Sequence, residues 1–228
     1  MHRRILFILF FLFFPILLFS TAQIPDGLVI DGKQYAIFTN PLNDYLDKNP
    51  NKKIPHGIIS SANWRGYIAL WEIKDGCLQL KNIEISEAFP DSAGNGSHEI
   101  RKRSVLSEVF PGEKDIIADW FTGHLIIPDG KLVEYVHMGY ASAYKKYVVL
   151  RIEKGKVTNK WKVNQSAFER FRKKQFEGFK TTDEYRSAFA KTKAESPDEN
   201  EKEIERFLFE FYSERYLSLV FEGLDFNY

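Results

Sequence analysis

Two pairs of histidine and carboxylate residues offer the acid–base chemistry that the sequence could support. His124 and Glu134 flank Pro128-Asp129-Gly130, which is typical of a hairpin loop, and counting back from that loop places them opposite each other. Asp119 and His137 fall diagonally on the other face. A carboxylate that orients an imidazole and raises its pKa is a common general-base arrangement. We favour a plain polar pair on a solvated sheet face, because no nucleophile accompanies either pair.

The histidines do not follow a metal-binding pattern. The chain has 5 of them, with no HxH, no HExxH and no cysteine pair, which are the spacings that usually mark a zinc site. A site built from His124, His137 and Asp119 would need a strand register different from the one that the loop predicts. Signatures of serine hydrolases, P-loops and dinucleotide-binding folds are absent too. The sequence therefore predicts no metal and no cofactor.

Aromatic residues suggest a second kind of function, which is binding. They make up 15% of the chain, and Trp64, Arg65 and Tyr67 form one dense segment, with Tyr140 in another. Because aromatic and arginine side chains dominate binding hot spots, these residues are the candidate contacts for a partner. We favour the other interpretation, that the aromatic side chains fill the core, as they commonly do in β-sheets.

The N-terminal segment predicts where these groups act. Met1 to Arg4 is basic, Ile5 to Phe19 has no polar side chain, and Ser20-Thr21-Ala22-Gln23 supplies small residues. This is the layout of a secretory signal peptide covering residues 1–22, with cleavage after it. The exported chain is then periplasmic or extracellular.

An uncleaved signal anchor over residues 5–22 is the alternative. A spanning helix needs about 20 apolar residues, whereas the apolar run here is shorter and contains Pro15. We therefore favour cleavage. In both cases the rest of the chain lies outside the cytoplasm, because the basic residues stay inside. A membrane is contacted only through this segment, and only if it is retained.

Composition limits the class of partner. The chain has 32 Lys+Arg and 31 Asp+Glu, so its charge gives no reason to expect nucleic acid. Cys77 is the single cysteine, so no internal disulfide can form. Stability must come from a buried core, for which a hydrophobic content of 44% is sufficient. Another protein is the expected partner.

Turns that contain glycine predict the sheet that must position the candidate residues. Such turns separate apolar or alternating runs, and they predict hairpins at 28–38, 67–85, 116–140 and 146–163. A two-residue turn at Asp75-Gly76 pairs Trp71 with Leu80. In the fourth hairpin, Val148 should meet Trp161. The sequence therefore predicts an antiparallel β domain over residues 24–163, with a loop from Asn43 to Ile59.

The remaining chain, over residues 165–222, is predicted to be helical. Ser166 with Glu169 is typical of a capping box, as is Ser196-Pro197-Asp198-Glu199. Phenylalanines recur at helical spacing between and after these caps, which indicates helices packed on the sheet or on one another. The fold class is thus α+β, with an antiparallel hairpin meander followed by C-terminal helices.

A set of motifs resembles a family of small, uncharacterised bacterial proteins. The motifs cover about residues 28–155 and are Asn40-Pro41-Leu42, Asn63-Trp64-Arg65-Gly66-Tyr67, Trp71-Glu72-Ile73, Ala118-Asp119-Trp120-Phe121 with Gly123, and Tyr135-Val136-His137-Met138-Gly139-Tyr140. The resemblance implies no established activity. It implies an immunity-type or accessory role near secreted-toxin systems. Members of the family are mostly leaderless, so the signal segment and the Phe-rich helical tail are departures from it.

These observations favour an exported, non-catalytic binding protein. The absence of catalytic motifs, the aromatic candidates and the resemblance all support that interpretation. The alternative is a hydrolase that uses His124 with Glu134, or Asp119 with His137.

Overall fold

The computed structural model describes residues 22–90, 98–136, 140–221 and 226. The strands are β1 Asp26–Ile30, β2 Lys33–Ile37, β3 Tyr67–Lys74, β4 Cys77–Pro90, β5 His98–Ser104, β6 Ile116–Ile117, β7 Gly123–Glu134, β8 Ala143–Glu153 and β9 Lys156–Asn164. The helices are α1 Pro41–Lys48, α2 Leu106–Val109, α3 Gln165–Phe179, α4 Asp183–Glu195, α5 Glu201–Phe211 and α6 Ser213–Tyr216. The α+β class with C-terminal helices is confirmed. No helix in the described ranges is long and apolar enough to cross a membrane.

Three of the four predicted hairpins are present, and their turns have the backbone that the sequence requires. The turns join β1 to β2, β3 to β4 and β8 to β9. Each turn pairs an Asp or Lys with a glycine, and both residues have positive φ, as in Asp75 (52°) and Gly76 (73°). Two consecutive positive φ angles match the right-handed twist of the strands, and glycine adopts one of them without strain.

The predicted strand register is correct for one pair of residues and wrong by one residue for another. Trp71 lies opposite Leu80, as predicted. The predicted pairing of Val148 with Trp161 is wrong, because Val149 lies opposite Trp161. A bulge between Arg151 and Ile152 inserts one residue and shifts the pairing beyond it.

The predicted hairpin at 116–140 is wrong. Residues Gly123–Glu134 form the single strand β7, which pairs along its length with β8. Gly130 has a φ of 78°, but the local result is an irregularity in the ladder between Asp129 and Leu132 rather than a reversal of the chain. The long partner strand β8 supplies the antiparallel pairing that the sequence analysis assigned to residues within β7.

The strands form one mixed sheet that curls until its ends meet. The order along the sheet is β2-β1-β3-β4-β9-β8-β7, while β5 and β6 pair with β4. Neighbours are antiparallel except β1 and β3, which are parallel. The backbone N–H of Phe38, directly after β2, donates to the carbonyl of Ile126 in β7 at 2.8 Å. The two end strands are therefore in contact, and the sheet has an inner and an outer face.

Each face carries its own apolar cluster. The inner cluster includes Leu28, Ile37, Trp71, Ile83, Leu125, Ile127, Leu150 and Ile152. The outer cluster joins Phe38, Ile126, Tyr147 and Val149 of the sheet region to Phe168, Phe171, Phe176, Phe179, Ile204, Leu208 and Tyr216 of the helices. Side chains that alternate along β7 and β8 enter different clusters, as strand geometry requires. The helical segment shares its core with the sheet.

The helix caps differ from the predicted ones. Asn164 caps α3 by accepting the backbone N–H of Ala167 at 2.9 Å, two residues before the predicted Ser166. Asn200 and Glu203 form a complete capping box on α5. Ser196 instead follows the end of α4. The predicted caps are wrong because several residues near each start are suitable, and packing of the phenylalanines decides among them.

Candidate functional site

The structure separates the first predicted acid–base pair. His124 and Glu134 lie on the same strand, opposite Arg151 and Ala143 respectively. Roughly 30 Å of strand separates them at the usual rise per residue. Their predicted opposition across a hairpin is therefore wrong, for the same reason that the hairpin itself is wrong.

His124 is a buried anchor for the C-terminal segment. Only 2% of it is exposed, and its ring meets Phe171 edge-on at 5.4 Å between centroids. Its Nδ1 lies 2.8 Å from the carbonyl oxygen of Leu219, so that nitrogen must carry the proton that it donates. Its backbone N–H donates to the carbonyl of Ser218. These bonds fasten residues 218–219 along the edge of β7.

The structure does not test the second predicted pair. Asp119 is exposed, and His137 lies outside the described residues. Among the residues that the structure describes, no group of three or more His, Cys, Asp and Glu could hold a metal ion.

The predicted binding residues Arg65, Tyr67 and Tyr140 converge, but they are buried. The Arg65 side chain is 3% exposed and its Nη1 lies 2.9 Å from Oδ1 of Asp26, whose side chain is fully buried. The Asp26 carboxylate also accepts the backbone N–H of Ala69 at 3.0 Å and Nε1 of Trp71 at 3.2 Å. We call Asp26, Asn40, Arg65, Tyr67 and Tyr140 the buried Arg65 cluster. The carboxylate thus has several donors in place of water.

Both tyrosines of the cluster are held in their neutral form. Arg65 lies over the ring of Tyr67, 5.0 Å from its centroid, and donates to the hydroxyl of Tyr140 at 3.4 Å. The tyrosine hydroxyls donate to Asn43 at 2.5 Å and to Asn40 at 3.2 Å. Burial raises the pKa of Tyr67 and of Tyr140, against the nearby charge of Arg65.

Arg65 itself stays charged. Burial acts to lower its pKa, but the attraction and hydrogen bond of Asp26 together with the interactions with Tyr140 and Tyr67 outweigh burial and raise that pKa. The buried Arg65 cluster is therefore a fixed structural network that a partner could not contact without unfolding.

Trp64 is the one predicted binding residue that reaches the surface. It is 52% exposed and borders a cleft of about 510 Å³ between α1 and the C-terminal helices, which we call the Trp64 cleft. Arg215 holds this cleft together, because it bonds Asp44 of α1 at 3.0 Å and Glu184 of α4 at 2.7 Å. Glu214 lies at its inner side, where burial raises the pKa of its carboxyl, opposed by Arg65 and Asn40.

A second cleft, of about 630 Å³, opens between the distal part of the β7–β8 ribbon and helices α3 and α5. Its charged residues are Glu134, Glu169, Glu203, Glu210, Arg172 and Arg206, and its apolar side chains include Phe207 and Phe211. We call it the acidic cleft, because it has four glutamates against two arginines. Phe207 and Phe211 stack at 4.2 Å, and Phe207 is 41% exposed.

One arginine of the acidic cleft is already engaged. The side chain of Arg172 is 10% exposed, and its Nη2 lies 2.6 Å from the carboxylate of Glu210. Its Nε donates to the hydroxyl of Tyr216 at 3.0 Å, and it lies 4.1 Å from the centroid of the Phe209 ring. The guanidinium charge of Arg172 is therefore already paired with groups of the protein itself.

The sequence analysis missed the acidic cleft as a site, although α5 carries a signal for it. Ile204, Phe207, Leu208 and Phe211 share a helical face by spacing, yet only Ile204 and Leu208 are buried. The apolar stripe is wider than the core can cover, so the two phenylalanines remain at the rim. Glu134 was predicted only as a partner of His124, and its place in the cleft beside Glu169 could not be foreseen, because the two residues come from different elements.

No protein-family model, curated protein or solved structure matches this chain. The described residues thus define an α+β protein with a fixed buried ion-pair network and several surface clefts, among them the Trp64 cleft and the acidic cleft.

Proposed function

We propose that this protein is an exported, non-catalytic binding protein, and that its acidic cleft receives a cationic segment of a protein partner. The observation that carries the proposal is the charge of the cleft, where four glutamates face two arginines. One arginine is tied to Glu210 and Tyr216. The surplus of negative charge is complementary to lysine and arginine.

The environment of Glu203 favours the charged form of its carboxylate. Hydrogen bonding with Glu199 and with the backbone N–H of Asn200 lowers the pKa of Glu203. Glu134 is exposed on the opposite wall, and no ion pair within the described ranges engages it. A cationic side chain that enters between the two walls would meet carboxylates from separate elements.

The stacked phenylalanines add an apolar platform to the charge. Phe207 and Phe211 stack on each other and line the cleft together with the carboxylates. The aliphatic stem of lysine or arginine packs on such rings, and the cationic head gains from the ring quadrupole. A cleft that offers both is suited to a basic side chain in an exposed loop or an extended segment. The motifs resemble an uncharacterised bacterial family, and the immunity-type or accessory role that this resemblance implies makes a secreted toxin the first class of partner to test.

No observation favours the hydrolase alternative. His124 is buried against Leu219 and Phe171, and Glu134 lies far along the same strand. A general base must be within hydrogen-bond reach of the proton that it removes.

The test compares partner capture by charge variants of the full chain. Proteins of the native host's envelope and culture medium are passed over the wild type, Glu203→Lys and Glu113→Lys, and the retained proteins are eluted with rising salt. Glu113 is exposed and lies outside both clefts, so its reversal changes net charge equally.

We expect a partner that the wild type and Glu113→Lys retain, that Glu203→Lys releases at least about tenfold more readily, and that salt elutes. Equal capture by Glu203→Lys and Glu113→Lys would contradict the proposal. Loss of capture by both variants would also contradict it, because net charge rather than the cleft would then be responsible.

A further inference from the structure

The Trp64 cleft and the acidic cleft meet at one residue. Phe211 is the last residue of α5, and its side chain lines both clefts. It stacks on Phe207 of the acidic cleft, with 4.2 Å between ring centroids. It also lines the Trp64 cleft together with Trp64 and Tyr212. Aromatic side chains are therefore present in each cleft and at the point where the two clefts meet.

The Trp64 cleft carries more negative than positive groups, as the acidic cleft does. Its ionisable residues are Asp47, Glu184, Glu214 and Arg215. Arg215 is already paired, because its Nε lies 2.7 Å from Glu184 and its Nη1 lies 3.0 Å from Asp44. Asp47 is exposed, and no salt bridge between described residues engages it. A cationic group that enters this cleft can therefore pair with Asp47.

The ion pairs of Arg215 also hold the walls of the Trp64 cleft in place. Asp44 belongs to α1, Glu184 to α4 and Arg215 to α6, so one guanidinium joins three helices. Trp64 borders the cleft and is 52% exposed, so its ring is accessible to a ligand. A preformed cleft loses less conformational entropy on binding than a cleft that must first be ordered.

Helix α5 sets the distance between the two clefts. Glu203 of the acidic cleft lies about two helical turns before Phe211, which is roughly 12 Å along the helix axis. An extended peptide advances about 3.3 to 3.6 Å per residue, so about four residues cover that distance. Two peptide side chains, one beside Glu203 and one beyond Phe211, are therefore about four to six positions apart in the peptide.

We propose that the cationic segment of the partner is an extended stretch with two basic residues, one of which enters the acidic cleft and the other the Trp64 cleft. The inference rests on the proposed function, which assigns the acidic cleft to a cationic segment, and it adds a second contact and a spacing. The stacked rings at Phe211 support the chain between the two contacts. Linked contacts bind more tightly than either alone, because the second forms within the complex.

Fluorescence anisotropy of labelled peptides tests the inference at low ionic strength. Three glycine–serine peptides of equal length are used: one with a single arginine, one with two adjacent arginines, and one with two arginines about five positions apart. The adjacent pair matches the charge of the spaced pair, so it is the control for net charge. Each peptide is titrated with the wild type, Asp47→Lys, Glu203→Lys and Glu113→Lys. Glu113 is exposed and lines neither cleft.

We expect the wild type and Glu113→Lys to bind the spaced peptide at least about tenfold more tightly than the other two peptides. Asp47→Lys and Glu203→Lys should each lose this advantage, because each variant repels a cation from one cleft. Trp64→Ala should reduce the advantage by roughly threefold, because the exposed ring no longer packs on the cationic side chain.

The outcomes separate this inference from the proposed function. If Glu203→Lys weakens binding but Asp47→Lys keeps the full advantage, the inference is overturned and the proposed function stands. If Glu203→Lys leaves the affinity for every peptide unchanged, both are overturned. Equal affinity for the adjacent and the spaced pair, or no measurable binding of any peptide, would also overturn the inference.

Discussion

The buried Arg65 cluster and the acidic cleft each contain an arginine bonded to a carboxylate, but they differ in burial and in charge balance. The side chains of Arg65 and Asp26 are 3% and 0% exposed, whereas those of Arg172 and Glu210 are 10% and 27% exposed. In the buried Arg65 cluster, the carboxylate of Asp26 pairs with the guanidinium of Arg65. A backbone N–H and an indole N–H complete the hydrogen bonding of that carboxylate. In the cleft, carboxylates outnumber guanidiniums.

This difference distinguishes charges that stabilise the fold from charges that a partner can bind. A charge removed from water must have its bonds completed within the protein, and in the buried Arg65 cluster the charges of Arg65 and Asp26 are paired with each other. A half-exposed cleft tolerates surplus charge because water solvates it until a partner arrives. The same residue types therefore stabilise the fold in one region and favour binding in the other.

Removing Arg65 is expected to have the largest effect. Arg65→Met leaves Asp26 charged and buried without its guanidinium, which costs about 3–5 kcal/mol in the free energy of unfolding. Urea unfolding followed by circular dichroism measures the change. Adding Asp26→Asn to Arg65→Met should recover part of the loss, because the amide carries no charge. A loss below about 1 kcal/mol in the single variant would show that the network is not structural.

Removing Arg172 is expected to have an intermediate effect. Arg172→Met keeps an apolar stem against Phe209 but loses the bonds to Glu210 and Tyr216, at a cost of about 1–2 kcal/mol. The partly exposed Glu210 can regain water, so no charge is stranded. Urea unfolding under the same conditions measures the change. A cost equal to that of Arg65→Met would remove the distinction between the two regions.

Local turn chemistry made much of the sheet predictable from the sequence. Asp31-Gly32, Asp75-Gly76 and Lys154-Gly155 each place two positive φ angles between apolar strands, and all three form hairpins. Pro128-Asp129-Gly130 has similar composition but lies inside β7. Its strand finds a longer partner in β8, and pairing along the whole strand outweighs a local turn preference.

The site depends on contacts that no local pattern encodes. Asp26 and Arg65 pair through the parallel alignment of β1 and β3, which no short turn specifies. The predicted loop from Asn43 to Ile59 is wrong over residues 43–48, which belong to α1, and this helix supplies a wall of the Trp64 cleft. The acidic cleft joins β7 to α3 and α5, which are distant in the chain. Only the apolar excess on α5 was visible in advance.

Glu214 lies at the inner side of the Trp64 cleft, close to the buried Arg65 cluster, and its titration should give the smallest of these effects. Burial raises the pKa of its carboxyl above the ordinary 4.5, although Arg65 and Asn40 oppose the shift. The folded protein then holds this proton to higher pH than the unfolded chain does. The stability that Glu214 contributes is therefore present at low pH and is lost as the pH rises above 4.5 through the raised value.

Glu214→Gln removes this dependence, because an amide does not titrate. We expect the difference in unfolding free energy, variant minus wild type, to rise between about pH 4 and about pH 8, by less than about 1 kcal/mol. Urea unfolding at several pH values measures it, with Glu113→Gln at an exposed site as the control. A constant difference would mean that Glu214 is as well solvated as the open carboxylates of the acidic cleft. A falling difference would mean that Arg65 dominates and that Glu214 belongs to the buried Arg65 cluster as a second fixed counterion.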